Sequence, residues 1–220
     1  MADGPKSFFL APEIHEYLVA HGSPPDEVLR GLIDETATLG PVAGMQVAPE
    51  QGALLTFLVA ALDVRFAVEV GTFTGYSSLC IARGLAPGGR LLCCDVSEEW
   101  TAIARRAWAN AGVDDRIDLR IAPAAETLRS LPDDVAIDFA FIDADKPSYP
   151  AYYEAILARL SPRGVIVVDN VLWGGRVVDS GADDAHTVAI RAFNELVAAD
   201  TRVDAVMLPV SDGLTLIRKR

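Results

Sequence analysis

The sequence contains little cysteine, little histidine and few aromatic residues. Of its 220 residues, three are cysteine and three are histidine, and aromatic residues make up 7%. Cys93 and Cys94 are adjacent in an apolar, strand-like run and therefore point to opposite faces, while Cys80 lies in a predicted helix. A disulfide framework is thus excluded, and buried cysteines in a reducing compartment are favoured. The histidines lack the paired spacing of metal ligands, so we predict surface or capping roles for all three: His15, His21 and His186.

Positive charge and long apolar runs are also scarce. The chain has 19 Lys and Arg against 31 Asp and Glu, a net charge of −12. Nucleic acids and anionic membranes are bound mainly through Lys and Arg, so we expect neither as a partner. No apolar run reaches the roughly 18 to 20 residues of a membrane span, and we expect no signal peptide. The sequence predicts a cytoplasmic protein that binds a small molecule.

The hydrophobic pattern predicts one α/β domain over residues 1–220. We expect residues 1–60 to form a helical segment that serves as a cap or as an interface, and residues 61–220 to form the core. In the core, strands at 66–70, 90–95, 117–121, 136–142 and 164–168 alternate with helices at 75–84, 97–111, 123–130, 148–160 and 185–199. Alternating units of this kind predict a doubly wound, Rossmann-like, mostly parallel sheet. Two more strands, at 203–208 and 214–218, bring the total to seven and add an antiparallel C-terminal hairpin.

The helix predicted at 97–111 has clear ends and one apolar face. Ser97 can cap its N-terminus, and Gly112 follows its last turn. The apolar residues keep the spacing of a core-facing stripe. We therefore assign its two tryptophans, Trp100 and Trp108, to the core rather than to a ligand site.

A glycine turn follows the first strand of the core, within Glu69–Ser78. Gly71 and Gly75 allow the chain to turn tightly, and either Thr74 or Ser77 can cap amides of the helix that follows. The turn differs from the dinucleotide pattern G-x-G-x-x-G because Phe73 replaces the glycine that approaches a pyrophosphate. It better suits a nucleoside that carries an amino acid, such as S-adenosylmethionine. An ordinary strand-to-helix turn is the alternative.

Asp95 ends the second strand. In a doubly wound domain, an acidic residue at this place binds ribose hydroxyls. A single aspartate would carry no information, but together with the glycine turn it predicts a nucleoside site.

Polar residues also follow the fourth and fifth strands of the core. Asp143 ends one strand, and Asp169 and Asn170 end the other. Neighbouring parallel strands end at one crevice, so these oxygens should meet and suit Mg²⁺, Mn²⁺ or Ca²⁺. Lys146 stands beside them as a candidate base. The alternatives are two aspartates that cap helices and a lysine that is merely solvated.

Together these motifs resemble those of the cation-dependent class I O-methyltransferases, which include caffeoyl-CoA and catechol O-methyltransferases. The most specific matches are Asp143-Ala144-Asp145-Lys146 and Asp169-Asn170-Val171-Leu172-Trp173. The resemblance implies metal ligands at Asp143, Asp169 and Asn170, with Lys146 and Asp143 catalytic and a substrate site at Lys6, Trp173 and Gly174. It implies an S-adenosylmethionine pocket lined by Met45, Val47, Glu69, Gly71, Thr72, Ser77, Asp95, Ala124, Asp143 and Asp145.

The resemblance further implies a homodimer that transfers a methyl group to one hydroxyl of a catechol-type phenol. Two departures bear on the acceptor. Gly174 stands where plant caffeoyl-CoA enzymes have asparagine, and residues 178–184 are acidic where those enzymes carry a longer basic and aromatic segment. An acidic loop would repel coenzyme A phosphates, so we expect a free catechol rather than a thioester.

Two other functions are weighed against methyl transfer. A nicotinamide oxidoreductase is disfavoured by the missing G-x-G-x-x-G pattern. A non-catalytic interaction protein of the same fold should have lost the predicted metal ligands or the base, and this chain retains both.

Overall fold

Residues 10–220 are described by a computed structural model, in which seven strands form one sheet. The strands are β1 (Phe66–Val70), β2 (Arg90–Asp95), β3 (Ile117–Ile121), β4 (Ile137–Ile142), β5 (Leu160–Asp169), β6 (Val203–Leu208) and β7 (Leu214–Lys219). Their order across the sheet is β3-β2-β1-β4-β5-β7-β6. Strand β7 runs antiparallel to β5 and β6, whereas β1 to β5 are parallel. The predicted mostly parallel, seven-stranded sheet is confirmed.

Eight α-helices of the described chain surround the sheet. They are α1 (Pro12–His21), α2 (Glu27–Ala37), α3 (Pro49–Ala61), α4 (Tyr76–Gly84), α5 (Glu98–Ala111), α6 (Ala124–Ser130), α7 (Tyr149–Arg159) and α8 (Ala185–Ala199). Short 3₁₀ turns occur at Gly40–Met45, Asp114–Arg116, Lys146–Ser148 and Trp173–Val178. Within residues 10–220, no helix is both long and apolar enough to span a bilayer.

The two faces of the sheet carry separate apolar cores. Helices α2 to α5 pack on one face with side chains such as Phe139 and Phe141, and α6 to α8 pack on the other with Ile142 and its neighbours. Cys93 lies in the first core and Cys94 in the second, and both are buried and unpaired by disulfides. The prediction that the adjacent cysteines face opposite sides of the sheet is confirmed.

Strand β5 is longer than the sequence pattern predicts. It begins at Leu160, where the preceding helix was expected to end, rather than at Gly164. Leu160 pairs with Ile137, and a register shift separates this pair from the regular ladder. The sequence pattern does not predict this extension because it contains Pro162 and Gly164, and both residue types are rare inside strands.

The ends of α5 are as predicted, but one residue of its predicted apolar face, Trp100, does not lie in the core. The Ser97 hydroxyl accepts a hydrogen bond from the Trp100 amide, and Gly112 ends the helix in the left-handed conformation. Trp108 is buried and donates to the Ser78 hydroxyl. Trp100 is only half-buried and lines a cavity instead. The assignment of Trp100 to the core is therefore wrong.

Candidate active site

A cavity of about 990 Å³ opens at the carboxyl ends of the parallel strands. This is where a doubly wound sheet binds its ligands, and the volume is that of a small-molecule site. The predicted site residues that line it are Met45, Val47, Gly71, Thr72, Ser77, Asp95, Ala124, Asp143, Asp145, Lys146, Asn170, Trp173 and Gly174. Glu69 and Asp169 are buried behind this lining. Lys6 lies outside the described residues.

Gly71 brings β1 and the end of β4 into close contact. Its φ is +90°, and a Cβ at this position would lie 1.9 Å from the carbonyl oxygen of Asp143. The Asp143 amide in turn donates to the carbonyl of Val70 at 2.8 Å. Any side chain at position 71 would push apart the two strand ends that carry the glycine turn and the predicted metal ligand.

Asp95 organises the glycine turn. Its Oδ2 accepts hydrogen bonds from the amides of Thr72 and Phe73, at 2.9 and 2.8 Å, and its Oδ1 accepts one from Ser97 at 2.8 Å. Phe73 has a φ of +50°, a strained conformation for an aromatic residue, and its ring packs edge-on against Trp100 with centroids 5.1 Å apart. The carboxylate therefore holds a strained turn while facing the cavity.

Glu69 lies underneath this turn rather than in the cavity wall. It is fully buried, and the side chains of Ser77 and Thr72 are its polar neighbours. Burial raises the pKa of Glu69 from 4.5 to about 7, although the nearby polar groups of Ser77 and Thr72 partly oppose the shift. Glu69 is not among the residues that line the cavity, and its contact with the cofactor stays a prediction.

The raised pKa of Glu69 predicts a specific dependence of stability on pH. The folded protein holds the Glu69 proton up to about pH 7, whereas the unfolded chain releases it near pH 4.5. The native state binds more protons in this window, so the free energy of unfolding falls as pH rises, by about 3 kcal/mol from this group. Glu69→Gln should remove that slope, as measured by urea unfolding between pH 4 and pH 8. Glu126→Gln, at an exposed position of α6, should retain it, and equal slopes in the wild type and Glu69→Gln would contradict the prediction.

Lys146 lies at the centre of a buried polar cluster. Its Nζ donates to Asp143 Oδ1 at 3.1 Å, to Asn170 Oδ1 at 2.6 Å and to the Tyr149 hydroxyl at 2.6 Å. Only 6% of the residue is exposed, and the Trp173 ring centroid lies 5.6 Å from Nζ. A merely solvated lysine is therefore excluded.

Tyr149 connects this cluster to the chain that carries Asp169. Its hydroxyl donates to the Asp169 carbonyl at 3.2 Å and accepts from Lys146. Burial raises the pKa of Tyr149 well above its ordinary value, and the carboxylates of Asp143 and Asp169 add to the effect. The hydroxyl keeps its proton, which fixes the direction of both hydrogen bonds.

Asn170 presents its amide oxygen to the cluster. Its φ is +60°, and its Nδ2 donates to Asp212 Oδ2 at 3.2 Å, which leaves Oδ1 directed at Lys146. Asp212 also accepts from the Gly174 amide at 2.6 Å and lines the cavity. Asp212 was not predicted as a site residue, because only the fold brings the hairpin between β6 and β7 to this edge.

Asp169 is almost fully buried. Its Oδ1 accepts from the Asn170 amide at 2.6 Å, and its Oδ2 accepts from Gln51 Nε2 at 2.8 Å. Among residues 10–220, no three Asp, Glu, His or Cys side chains converge in a metal-binding group. A cation here would therefore have two carboxylates and one amide oxygen, from Asp143, Asp169 and Asn170. This donor set fits a hard divalent ion, and Lys146 Nζ contacts two of its members.

Two aromatic rings, of Trp173 and His186, lie beside the polar cluster around Lys146. Trp173 has a φ of +47°, and its ring centroid lies 5.8 Å from that of His186, which is exposed and lines the cavity. His186 was predicted to have only a surface or capping role, so this residue was also missed. On another wall, Tyr152 donates to Asp145 at 2.6 Å.

The acidic loop at residues 178–184 is partly neutralised. Asp184 accepts from the Thr187 amide at the start of α8 and pairs with Arg176 at 2.6 Å. The Arg191 guanidinium donates to the loop carbonyls of Asp179 and Ala182. The loop therefore repels an incoming phosphate less strongly than its sequence suggests.

Comparisons with known proteins agree with this geometry. The family model described as O-methyltransferase matches residues 20–220. The probable caffeoyl-CoA O-methyltransferase 1 of Dictyostelium discoideum is 40% identical over 210 residues, which cover 94% of this chain and 91% of that protein. The structure is similar to an O-methyltransferase from Bacillus cereus in complex with SAH, with a TM-score of 0.86, 34% identity and coverage of 94% and 97% of the two chains. The O-methyltransferase TomG from Streptomyces achromogenes, involved in tomaymycin synthesis and solved with SAM, matches with a TM-score of 0.86, 31% identity and coverage of 94% and 96%.

Proposed function

This chain belongs to the O-methyltransferase family, and we propose that its cavity methylates one hydroxyl of a catechol-type phenol with the help of a divalent cation. S-adenosylmethionine is the methyl donor, in keeping with the SAM and SAH complexes of its structural neighbours. Family membership rules out the nicotinamide oxidoreductase. The polar cluster that a non-catalytic relative should have lost is intact around Lys146.

The observation that carries the proposal is the position of Lys146 Nζ. It lies between the oxygens of Asp143 and Asn170, at the ends of two neighbouring strands, in the cavity that also contains the glycine turn. The cation site and a nucleoside site therefore share one crevice of about 990 Å³. That arrangement suits a reaction between a bound methyl donor and an oxygen nucleophile.

The cofactor would occupy the side of the cavity formed by the glycine turn. The close approach at Gly71 leaves the backbone accessible, and Asp95 lies at the strand end that suits ribose. Asp145, held by Tyr152, is an acidic partner for the amino group of the methionine part. The remaining contacts proposed for the cofactor come from Met45, Val47, Glu69, Thr72, Ser77, Ala124 and Asp143.

The cation would be held by Asp143, Asp169 and Asn170, with Mg²⁺ favoured and Mn²⁺ or Ca²⁺ compatible with the same oxygens. When bound, such an ion lowers the pKa of an acceptor hydroxyl and orients it. Lys146, in its neutral amine form, would accept the proton of that hydroxyl at Nζ. Tyr149 and Asn170 hold Nζ in place, so the acceptor meets a base of fixed position.

The acceptor would enter between the cluster and the aromatic wall of Trp173 and His186. Gly174 leaves this wall open, since nothing lies within 4 Å of a Cβ built there. We propose a free catechol as the acceptor, although the ion pair of Arg176 and Asp184 weakens the electrostatic argument against a coenzyme A thioester. A homodimer and a cytoplasmic location stay predictions.

Methyl transfer from labelled S-adenosylmethionine to a panel of catechols tests the proposal. We expect turnover that EDTA stops and added Mg²⁺ restores, and faster reaction with caffeic acid than with caffeoyl-CoA. Turnover that EDTA does not change would assign the three oxygen donors a structural role. Equal rates with the acid and the thioester would overturn only the preference for a free catechol.

A further inference from the structure

Gln51 is a buried polar residue that the proposed chemistry does not use. It lies in the first turn of α3, has no exposed surface and donates from Nε2 to Asp169 Oδ2 at 2.8 Å. Its own carbonyl oxygen has no hydrogen-bond partner among residues 10–220. Within residues 10–220, the hydrogen bond of the Gln51 side chain therefore goes to a predicted metal ligand, which is 118 positions away in sequence.

The direction of this hydrogen bond is fixed. A carboxylate only accepts, so the amide must present its nitrogen to Asp169, and the reverse orientation would bring two acceptors together. The second oxygen of Asp169 accepts from the Asn170 amide. Together, the Gln51 amide and this backbone amide restrict rotation of the carboxylate.

Packing alone gives no reason for an amide here. An apolar side chain of similar size would fill the same space without burying an unsatisfied carbonyl, which costs stability. The hydrogen bond instead joins an N-terminal helix to the end of β5. Groups of this kind, which orient a ligand without touching the metal, strongly influence metal affinity.

We propose that Gln51 is a positioning residue that fixes the Asp169 carboxylate for cation binding. The inference rests on the proposed function, because it takes Asp169 as a cation ligand. Helix α3 thereby becomes part of the cation site, although its contact with the cation is indirect.

The test compares Mn²⁺ affinity across variants, with free Mn²⁺ followed by electron paramagnetic resonance in the presence of S-adenosylmethionine. Gln51→Met keeps the size and removes the amide, and Gln51→Asn keeps the amide but shortens its reach. We expect both to weaken Mn²⁺ binding by about 10- to 100-fold, while affinity for S-adenosylmethionine changes less than about twofold. Methyl transfer should fall at limiting Mg²⁺ and recover at saturating Mg²⁺.

Thr56→Val provides the matched control. Thr56 lies on the same helix and donates to the carbonyls of Gly52 and Cys80, away from the cluster. It should lower thermal stability without changing Mn²⁺ affinity. Wild-type Mn²⁺ affinity in both Gln51 variants, or an equal loss of Mn²⁺ and cofactor affinity in them, would overturn the positioning role. A wild-type protein that binds no Mn²⁺ would instead overturn the proposed cation site and this inference with it.

Discussion

Asp143→Ala is expected to lower cation-dependent methyl transfer by at least about 100-fold, because a metal-stabilised charge contributes several kcal/mol to a transition state. The substitution removes the carboxylate that contacts Lys146 at 3.1 Å. The contact between Gly71 and position 143 involves the backbone carbonyl, which alanine retains. The glycine turn should therefore stay in place, and S-adenosylmethionine affinity should fall far less than the rate, because only one of its proposed contacts is lost.

Isothermal titration with the cofactor, together with initial rates across a Mg²⁺ series, separates these two effects. Asp118→Ala is the control. It also removes one carboxylate, but from an exposed position of β3 where the aspartate pairs with Arg120. It should leave the rate and the Mg²⁺ dependence unchanged. Full activity of Asp143→Ala in the presence of a chelator would refute the metal role.

Lys146→Ala is expected to reduce kcat by about 10²- to 10⁴-fold, the usual contribution of a positioned proton acceptor. Its Nζ is held by three partners, and only 6% of the residue is exposed. Solvent is therefore a poor substitute at neutral pH. Rates measured from pH 7 to pH 10 should show partial recovery as hydroxide replaces the amine.

Cofactor affinity provides the second measurement for this variant, and it should stay close to that of the wild type. Lys219→Ala is the control, because Lys219 Nζ donates to the Leu160 carbonyl at the opposite end of β5. A decrease in kcat smaller than tenfold for Lys146→Ala at pH 7 would contradict its role as the base.

The periodic pattern of the sequence was sufficient to predict the sheet and the strand ends that matter. Gly71, Asp95 and Asp143 each stand where an apolar run stops, and parallel strands end at a common edge. Their convergence follows from topology alone. For the same reason, Asn170 could be assigned to the site before any distance was known.

Residues that reach the cavity from helices and from the hairpin were not predictable in this way. Trp100 keeps the spacing of a core residue, yet it lies in the first turn of α5 and lines the cavity. His186 and Asp212 have no motif of their own, and only the packing of α8 and the pairing of β7 bring them to the site. Helical periodicity describes the direction of a side chain but not where along the helix the core ends.

The charge balance around the 178–184 loop and the burial of Glu69 were also not predictable from the sequence. The sequence shows the acids of residues 178–184 but not Arg176 and Arg191, which fold against them. It shows Glu69 next to the glycine turn but not the depth that raises its pKa to about 7. Charge balance and burial depend on contacts between distant segments, and a linear pattern contains neither.

The position of β7 has a consequence for how the chain folds. β7 follows β6 in sequence but lies between β5 and β6 in the sheet. Until β7 inserts, the ten-residue strand β5 has an unpaired edge, which is a template for association with other chains. Insertion depends on non-local pairing, which is slow to form. The same step delivers Asp212 to the cavity, so loss of the aggregation-prone edge and completion of the active site are one event.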